Sequence, residues 1–309
     1  MLGIVLFSAV LSLAQSFPAP KGTRDQTMQN LMNAFARHHH GKVAFYAKQL
    51  RTGQEVEIDA DRPVTTASVI KVAILLEAMY QVKAGQRSLE DMLPLTKADQ
   101  VSGSGVLWLY HTPAQINFET ALVLMITQSD NTATNLVLDH IGRETVNARM
   151  RTLGFPLTTS IRKISRPGTG DQSPELKPFG IGRTTARQMA GILESINRCD
   201  LGNPKLCHIM IDMLEHQFWR NLIPHYLEDA DTTEVPSHIA NKTGSLDEVR
   251  NDVALVFTKD GPIVISAFTY DNQDQSWTPE NEAELMVARM AKVIVDGWAP
   301  HGLGDEGKH

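Results

Sequence analysis

The sequence predicts an α+β fold in which an antiparallel sheet is flanked by terminal helices and an all-α lobe is inserted into its middle. Two observations carry that expectation. Strand-like runs gather near both ends of the chain, between residues 43 and 58 and again between 237 and 270, while the stretch between them reads as mainly helical. Helical periodicity also opens and closes the pattern, so the sheet has helices available to cover its faces.

Asp25 to Arg37 places Met28, Leu31, Met32 and Phe35 on one helical face, and Gly41 ends the run. Val43 to Gln49 and Glu55 to Ile58 follow as strands joined by the turn Arg51-Thr52-Gly53-Gln54. Ser68 to Val82 is apolar on most sides, as a buried helix is. Phe118 to Thr127 and Thr132 to Ile141 read as two more helices, the second closed by Gly142. Thr184 to Ile196 and Leu206 to His216 continue the helical series. Strands return at Ser237 to Lys242, Asp252 to Phe257 and Ile263 to Tyr270, and Glu280 to Trp298 is the final helix. On this reading residues 15–302 form one unit, with an α/β lobe (24–64 and 213–299), a helical lobe (65–212) and a site in the crevice between them. The Gly-rich polar tail beyond about Pro300, 303–309 above all, is expected to fray.

The 309 residues, 42% hydrophobic and 21% charged, are ordinary globular values with ample core. A net charge of −6 without a long basic run argues against a nucleic-acid surface. Residues 1–14 are almost wholly apolar and too short to span a bilayer, and Ser12-Leu13-Ala14 offers the small residues that signal peptidase reads. They are taken as a signal peptide, although no Lys or Arg precedes the apolar run. The expectation is therefore an exported protein, periplasmic or secreted, without stable membrane insertion and monomeric. Cys199 and Cys207 flank the turn Asp200-Leu201-Gly202-Asn203-Pro204, and the residues leave open whether they pair or stay separate thiols. His38, His39 and His40 point in different directions at a helix end and do not converge on a metal.

Three short motifs carry chemistry. In Ser68-Val69-Ile70-Lys71 the first and fourth residues share a helical face, so Lys71 can reach the Ser68 hydroxyl near a helix N-terminus. A serine hydroxyl needs a base to become a nucleophile, and burial lowers a lysine pKa into a useful range. Free amides at the helix start can steady an oxyanion. Ser129-Asp130-Asn131 interrupts two helices, where Asp130 can cap while Ser129 and Asn131 face the cleft. Lys242-Thr243-Gly244, followed by Ser245, ends a strand, and Gly244 would let a substrate backbone lie close.

Each motif alone is common. In this order the set S-x-x-K, S-D-N, K-T-G resembles the class A β-lactamases and penicillin-binding proteins. The likeness extends to Ser129–Leu138 (SDNTATNLVL), to Thr184–Ala190, and to KTGSLDEVRNDV from Lys242 to Val253, which is similar to a branch near small D,D-peptidases. The resemblance implies a serine hydrolase acting on a β-lactam or a D-alanyl peptide through an acyl-enzyme, with no metal or organic cofactor. It implies Ser68 as nucleophile, Lys71 as its base and Ser129 as proton relay to the leaving nitrogen. Asn131 would bind the substrate side-chain amide, and Lys242, Thr243 and Ser245 the substrate carboxylate. The amides of Ser68 and Ser245 would form the oxyanion hole. Arg250 stands at about the spacing of a carboxylate-binding arginine.

The departure lies in the second half of the reaction. Class A hydrolases carry a loop glutamate that activates the deacylating water. Counting ten residues from Gly154 lands on Ile164, which has no carboxylate. The next glutamate, Glu175 in Ser173-Pro174-Glu175-Leu176-Lys177, is the remaining candidate for that base. Fast deacylation would make a β-lactamase, slow deacylation a D,D-peptidase, and a single acylation a β-lactam sensor.

Overall fold

The computed structural model describes residues 22–166, 168–228 and 237–308. The candidate signal peptide, residues 1–14, lies outside them.

A two-residue strand β1 (Thr23–Arg24) leads into α1 (Gln26–His38), whose start is capped by Asp25 accepting the Met28 amide at 3.0 Å. The hairpin follows as β2 (Lys42–Gln49) and β3 (Gln54–Ile58), then the short β4 (Val64–Thr65). A single 3₁₀ turn, Ala67–Ile70, runs directly into α2 (Lys71–Lys83). A small hairpin of β5 (Met92–Leu95) and β6 (Ala114–Asn117) precedes α3 (Phe118–Thr127), α4 (Asn131–Ile141) and α5 (Arg143–Thr152). The strands β7 (Thr159–Ser160) and β8 (Gly182–Thr184) bracket a long loop before α6 (Ala186–Asn197) and α7 (Pro204–Glu215). The chain closes with β9 (Ile239–Leu246), β10 (Val249–Val256), β11 (Ile263–Tyr270) and α8 (Glu282–Trp298).

The expected sheet has six strands in the order β1-β3-β2-β11-β10-β9, antiparallel throughout except where β1 joins β3. Strand alternation sorts its side chains onto two cores. Val43, Phe45 and Ala47 of β2, with Ala254 and Val256 of β10, pack against Met28 and Met32 of α1 and Met286, Met290 and Ile294 of α8. The opposite face, with Ala44, Tyr46, Val253, Leu255 and Phe268, joins the larger core of the helical lobe, where α6 lies on the sheet. Covering both faces is why these strands read as nearly continuous apolar runs.

Several expectations need correcting. Ser68 is not the first turn of one long helix but sits in the 3₁₀ turn before α2. β9 does not stop at Lys242: Thr243, Gly244 and Ser245 pair with Asp252, Asn251 and Arg250, and the reversal falls at Asp247-Glu248. Helix α5 was not anticipated, because only Val146, Asn147 and Met150 are buried in it and so narrow a stripe gives weak periodicity. Within the described residues the tail touches the body of the fold at two points. Leu303 bridges to Thr258, and Lys308 Nζ reaches the buried Glu215 carboxylate at 2.8 Å. Cys199 and Cys207 are disulfide-bonded across the α6–α7 turn, with Cα atoms 5.6 Å apart. Among the described residues no helix is long and apolar enough to cross a membrane.

Candidate active site

The site is assembled where the 3₁₀ turn of Ser68, the α3–α4 junction and β9 meet. Ala67, immediately before Ser68, is held at φ 43°, a left-handed conformation that costs an L-residue about 1–2 kcal/mol. What enforces it is contact with the sheet. Asn251 of β10 donates to Thr65 O at 3.0 Å and Thr66 O at 3.3 Å. A Cβ on Gly244 would stand 2.7 Å from Thr66 O and 2.8 Å from the amide nitrogens of Ser68 and Val69. Gly244 is therefore required by the serine's own turn, and it also lines the cleft.

Lys71 is one turn beyond Ser68 and wholly buried. Its Nζ donates to Ser129 O at 2.7 Å, Ser129 Oγ at 3.1 Å and Asn131 Oδ1 at 3.3 Å. Burial holds its pKa well below the ordinary lysine value, the neighbouring Lys242 ammonium adds to this, and Asp130 opposes it. Lys242, also fully buried, donates to the same Ser129 Oγ at 3.1 Å and to Thr243 O at 2.9 Å. Burial lowers its pKa to about 7, against the pull of Asp252. The Ser129 hydroxyl thus lies between two buried amines.

The α3–α4 junction holds Ser129 in place. Ser129 itself adopts φ 52°. Asp130 caps α4 by accepting the Ala133 amide at 2.8 Å, and its second oxygen accepts the amides of Val106 and Leu107 at 2.6 and 2.8 Å. One buried carboxylate so fastens the 102–107 loop over the serine. Asn131 donates to Ser102 O at 3.2 Å.

The cleft that opens from Ser68 has a volume of about 1110 Å³. Ser68, Ser129, Asn131, Thr243, Gly244 and Ser245 line it, so the three motifs converge as expected. Its other wall is the loop after β7, through Arg162, Ile164, Ser165 and Arg166. Ile164 is fixed there by Asn135 of α4, which accepts its amide at 2.9 Å and donates to its carbonyl at 3.0 Å. The sequence reading did not single out Asn135 or Asn251. The first had a signal, since it follows Asn131 by one helical turn on the same face.

Two expected site residues are elsewhere. Glu175 lies on an exposed turn and does not line the cleft. The backbone bridge between Arg162 and Gly170 folds the loop back on itself, and Glu175 falls beyond that fold. Arg250 is fully buried and also absent from the lining. Its Nε lies 3.1 Å from Glu284 Oε1, an Nη donates to Ser276 O at 2.6 Å, and the guanidinium covers Trp277 at 4.3 Å. Its charge is matched by Glu284.

This geometry has known relatives. The model of the β-lactamase enzyme family matches residues 24–298, and the chain belongs to that family. It is similar to a β-lactamase of Streptomyces fradiae (25% identical, covering 95% of this chain and 93% of that protein). It is also similar to the β-lactamase regulatory protein BlaB of Streptomyces cacaoi (23%, covering 84% and 94%). The solved β-lactamase of Sphaerobacter thermophilus superposes with a TM-score of 0.76 at 27% identity, covering 88% of this chain and 97% of that one. PBP-A shares the fold, with a TM-score of 0.76 at 21% identity over 91% and 98% of the two chains.

Proposed function

We propose that the protein is a serine hydrolase that opens β-lactams through an acyl-enzyme at Ser68 and releases that acyl-enzyme slowly. The observation that carries the reading is the buried Lys71–Ser129–Lys242 network beside Ser68, with both amines 3.1 Å from one hydroxyl. Ser68 Oγ attacks the carbonyl carbon and its proton passes to neutral Lys71. The carbonyl oxygen gains charge against the amides of Ser68 and Ser245. Lys71 then gives a proton to Ser129 Oγ while the Ser129 hydroxyl proton goes to the departing nitrogen, so the C–N bond breaks with Lys71 neutral again. Lys242, Thr243 and Ser245 hold the substrate carboxylate, and Asn131 its side-chain amide.

Hydrolysis of the ester requires a base for water. The loop wall presents Ile164, Arg162, Ser165 and Arg166 to the cleft, and none of them accepts a proton at neutral pH. The same observation favours a second reading, a D,D-peptidase acting on D-alanyl peptides, for which a long-lived penicillin ester is the consequence of the same wall. A solved variant of PBP-A carries penicillin G as an acyl-enzyme. Export accords with the Cys199–Cys207 bond, since disulfides persist in oxidising compartments.

The test is intact-protein mass spectrometry after mixing with a penicillin. An adduct that forms on wild type, maps to Ser68, is absent from Ser68→Ala and persists for many minutes supports the proposal. Labelling of Ser68→Ala at another residue, or no adduct and no drug consumption, overturns it. Rapid turnover without accumulation removes the slow-release half.

A further inference from the structure

The charges lining the cleft do not balance. Arg162, Arg166, Arg220 and Glu284 are the ionic side chains of its wall among the described residues. Two of them are already matched. Arg220 Nε and Nη2 donate to Glu228 at 3.0 and 2.6 Å, and a further Nη donates to Asn241 Oδ1 at 2.8 Å. Glu284 faces buried Arg250. Arg162 and Arg166 differ. Their side-chain partners among the described residues are backbone carbonyls: Arg162 Nε donates to Gly180 O at 3.2 Å, and Arg166 Nη2 donates to Ala98 O. A guanidinium carries five N–H donors in a planar fork, so each retains most of its capacity. The chain as a whole is acidic, at −6, so this local excess of positive charge is not a reflection of bulk composition.

We propose that Arg162 and Arg166 form a second anion subsite, which takes a carboxylate on the side chain of the acyl donor. This rests on the acyl-serine reading above. Position identifies the end of the substrate concerned. The two arginines flank Ile164, which Asn135 ties to α4 one turn from Asn131. Thr243 and Ser245, which with buried Lys242 hold the first carboxylate in that reading, line the cleft from β9. A substrate matching both walls is a dianion, with one carboxylate near the scissile bond and a second on the acyl side chain. A β-lactam with a carboxylated side chain and a D-alanyl peptide with an acidic residue before the scissile bond share that chemistry.

The experiment compares benzylpenicillin with the analogue that carries a carboxylate on its benzylic carbon. The readout is the ratio of their second-order acylation rates, followed by intact mass on wild type and on Arg162→Gln/Arg166→Gln. Because both substrates meet the same protein sample, the ratio is insensitive to the fraction folded. The expected wild-type ratio at low salt is about tenfold in favour of the dianion. It shrinks as salt rises, because both arginines are solvent-accessible. In the double variant it falls to about one. A wild-type ratio at or below one, or a preference that survives in the double variant, overturns the subsite while leaving acylation at Ser68 intact. Failure of both penicillins to label Ser68 removes the acyl-serine reading and the subsite with it. Competition by D-alanyl peptides separates the sources. Better protection by an acidic peptide than by its neutral counterpart, lost in the double variant, assigns the subsite to peptides. A preference confined to the penicillins assigns it to the β-lactam side chain.

Discussion

The two walls of the cleft are built differently. On one side, Ser68, Lys71, Ser129 and Lys242 are held by the buried Asp130 cap, the Asn251 carboxamide and strand pairing, and both amines are stripped of water. On the other, the loop after β7 is equally well fastened at Ile164, yet it presents an isobutyl-sized apolar group and two arginines. The second wall is therefore positioned without being equipped. Acylation and deacylation are chemically similar steps, but deacylation needs a proton acceptor placed toward the attacking water, and fastening a loop does not supply one.

The largest expected effect is on the equipped wall. Lys71→Ala removes the base and a buried amine together, and acylation by penicillin falls by about 100- to 10,000-fold in time-resolved mass spectrometry. A loss of less than tenfold would move the base to another residue. The pH dependence comes next. A lysine whose folded pKa is lowered to about 7 is mostly protonated below that pH and mostly neutral above it. Lys71 is lowered well below its ordinary value by burial, which favours its neutral form. Acylation by a carboxylate-bearing penicillin therefore falls as pH rises through about 7, by up to about tenfold per unit. A rate that climbs instead would show that Lys242 is not needed as a cation.

Gly244→Ala has a smaller, mixed effect. Its Cβ meets backbone rather than a pliable side chain, so stability drops by about 1–3 kcal/mol and acylation slows as the serine turn shifts. Thermal denaturation and labelling measure the two parts. Unchanged stability would mean that the turn and β9 can separate freely. Smallest of all is Glu175→Gln, for which deacylation stays within about twofold of wild type, as for other exposed substitutions. A marked slowing would place Glu175 at the ester and equip the second wall after all.

What could be read from the sequence follows the same division. Five strands of the sheet and most helices were legible because alternation and helical periodicity are local, whereas Lys242-Thr243-Gly244 read as a strand end and in fact lies within β9. The empty position at Ile164 was also legible, as a count from Gly154. Glu175 and Arg250 do not line the cleft, and spacing along a chain does not report a loop that folds back or an arginine drawn inward to Glu284. Gly244 was recognised as a close-approach glycine, but its partner, the turn of Ser68, is remote in sequence. Strands of two residues, such as β4 and β7, are too short to show any alternation.

The most direct test of the central claim is the single-turnover deacylation rate of wild type beside Ile164→Glu, each preloaded with the same penicillin and freed of excess drug. A carboxylate placed on this already fastened backbone is expected to speed release of the acyl group by about 100-fold or more while acylation changes little. Release that is fast in wild type, or that Ile164→Glu leaves unaltered, would contradict the claim that the loop wall is positioned but lacks its base.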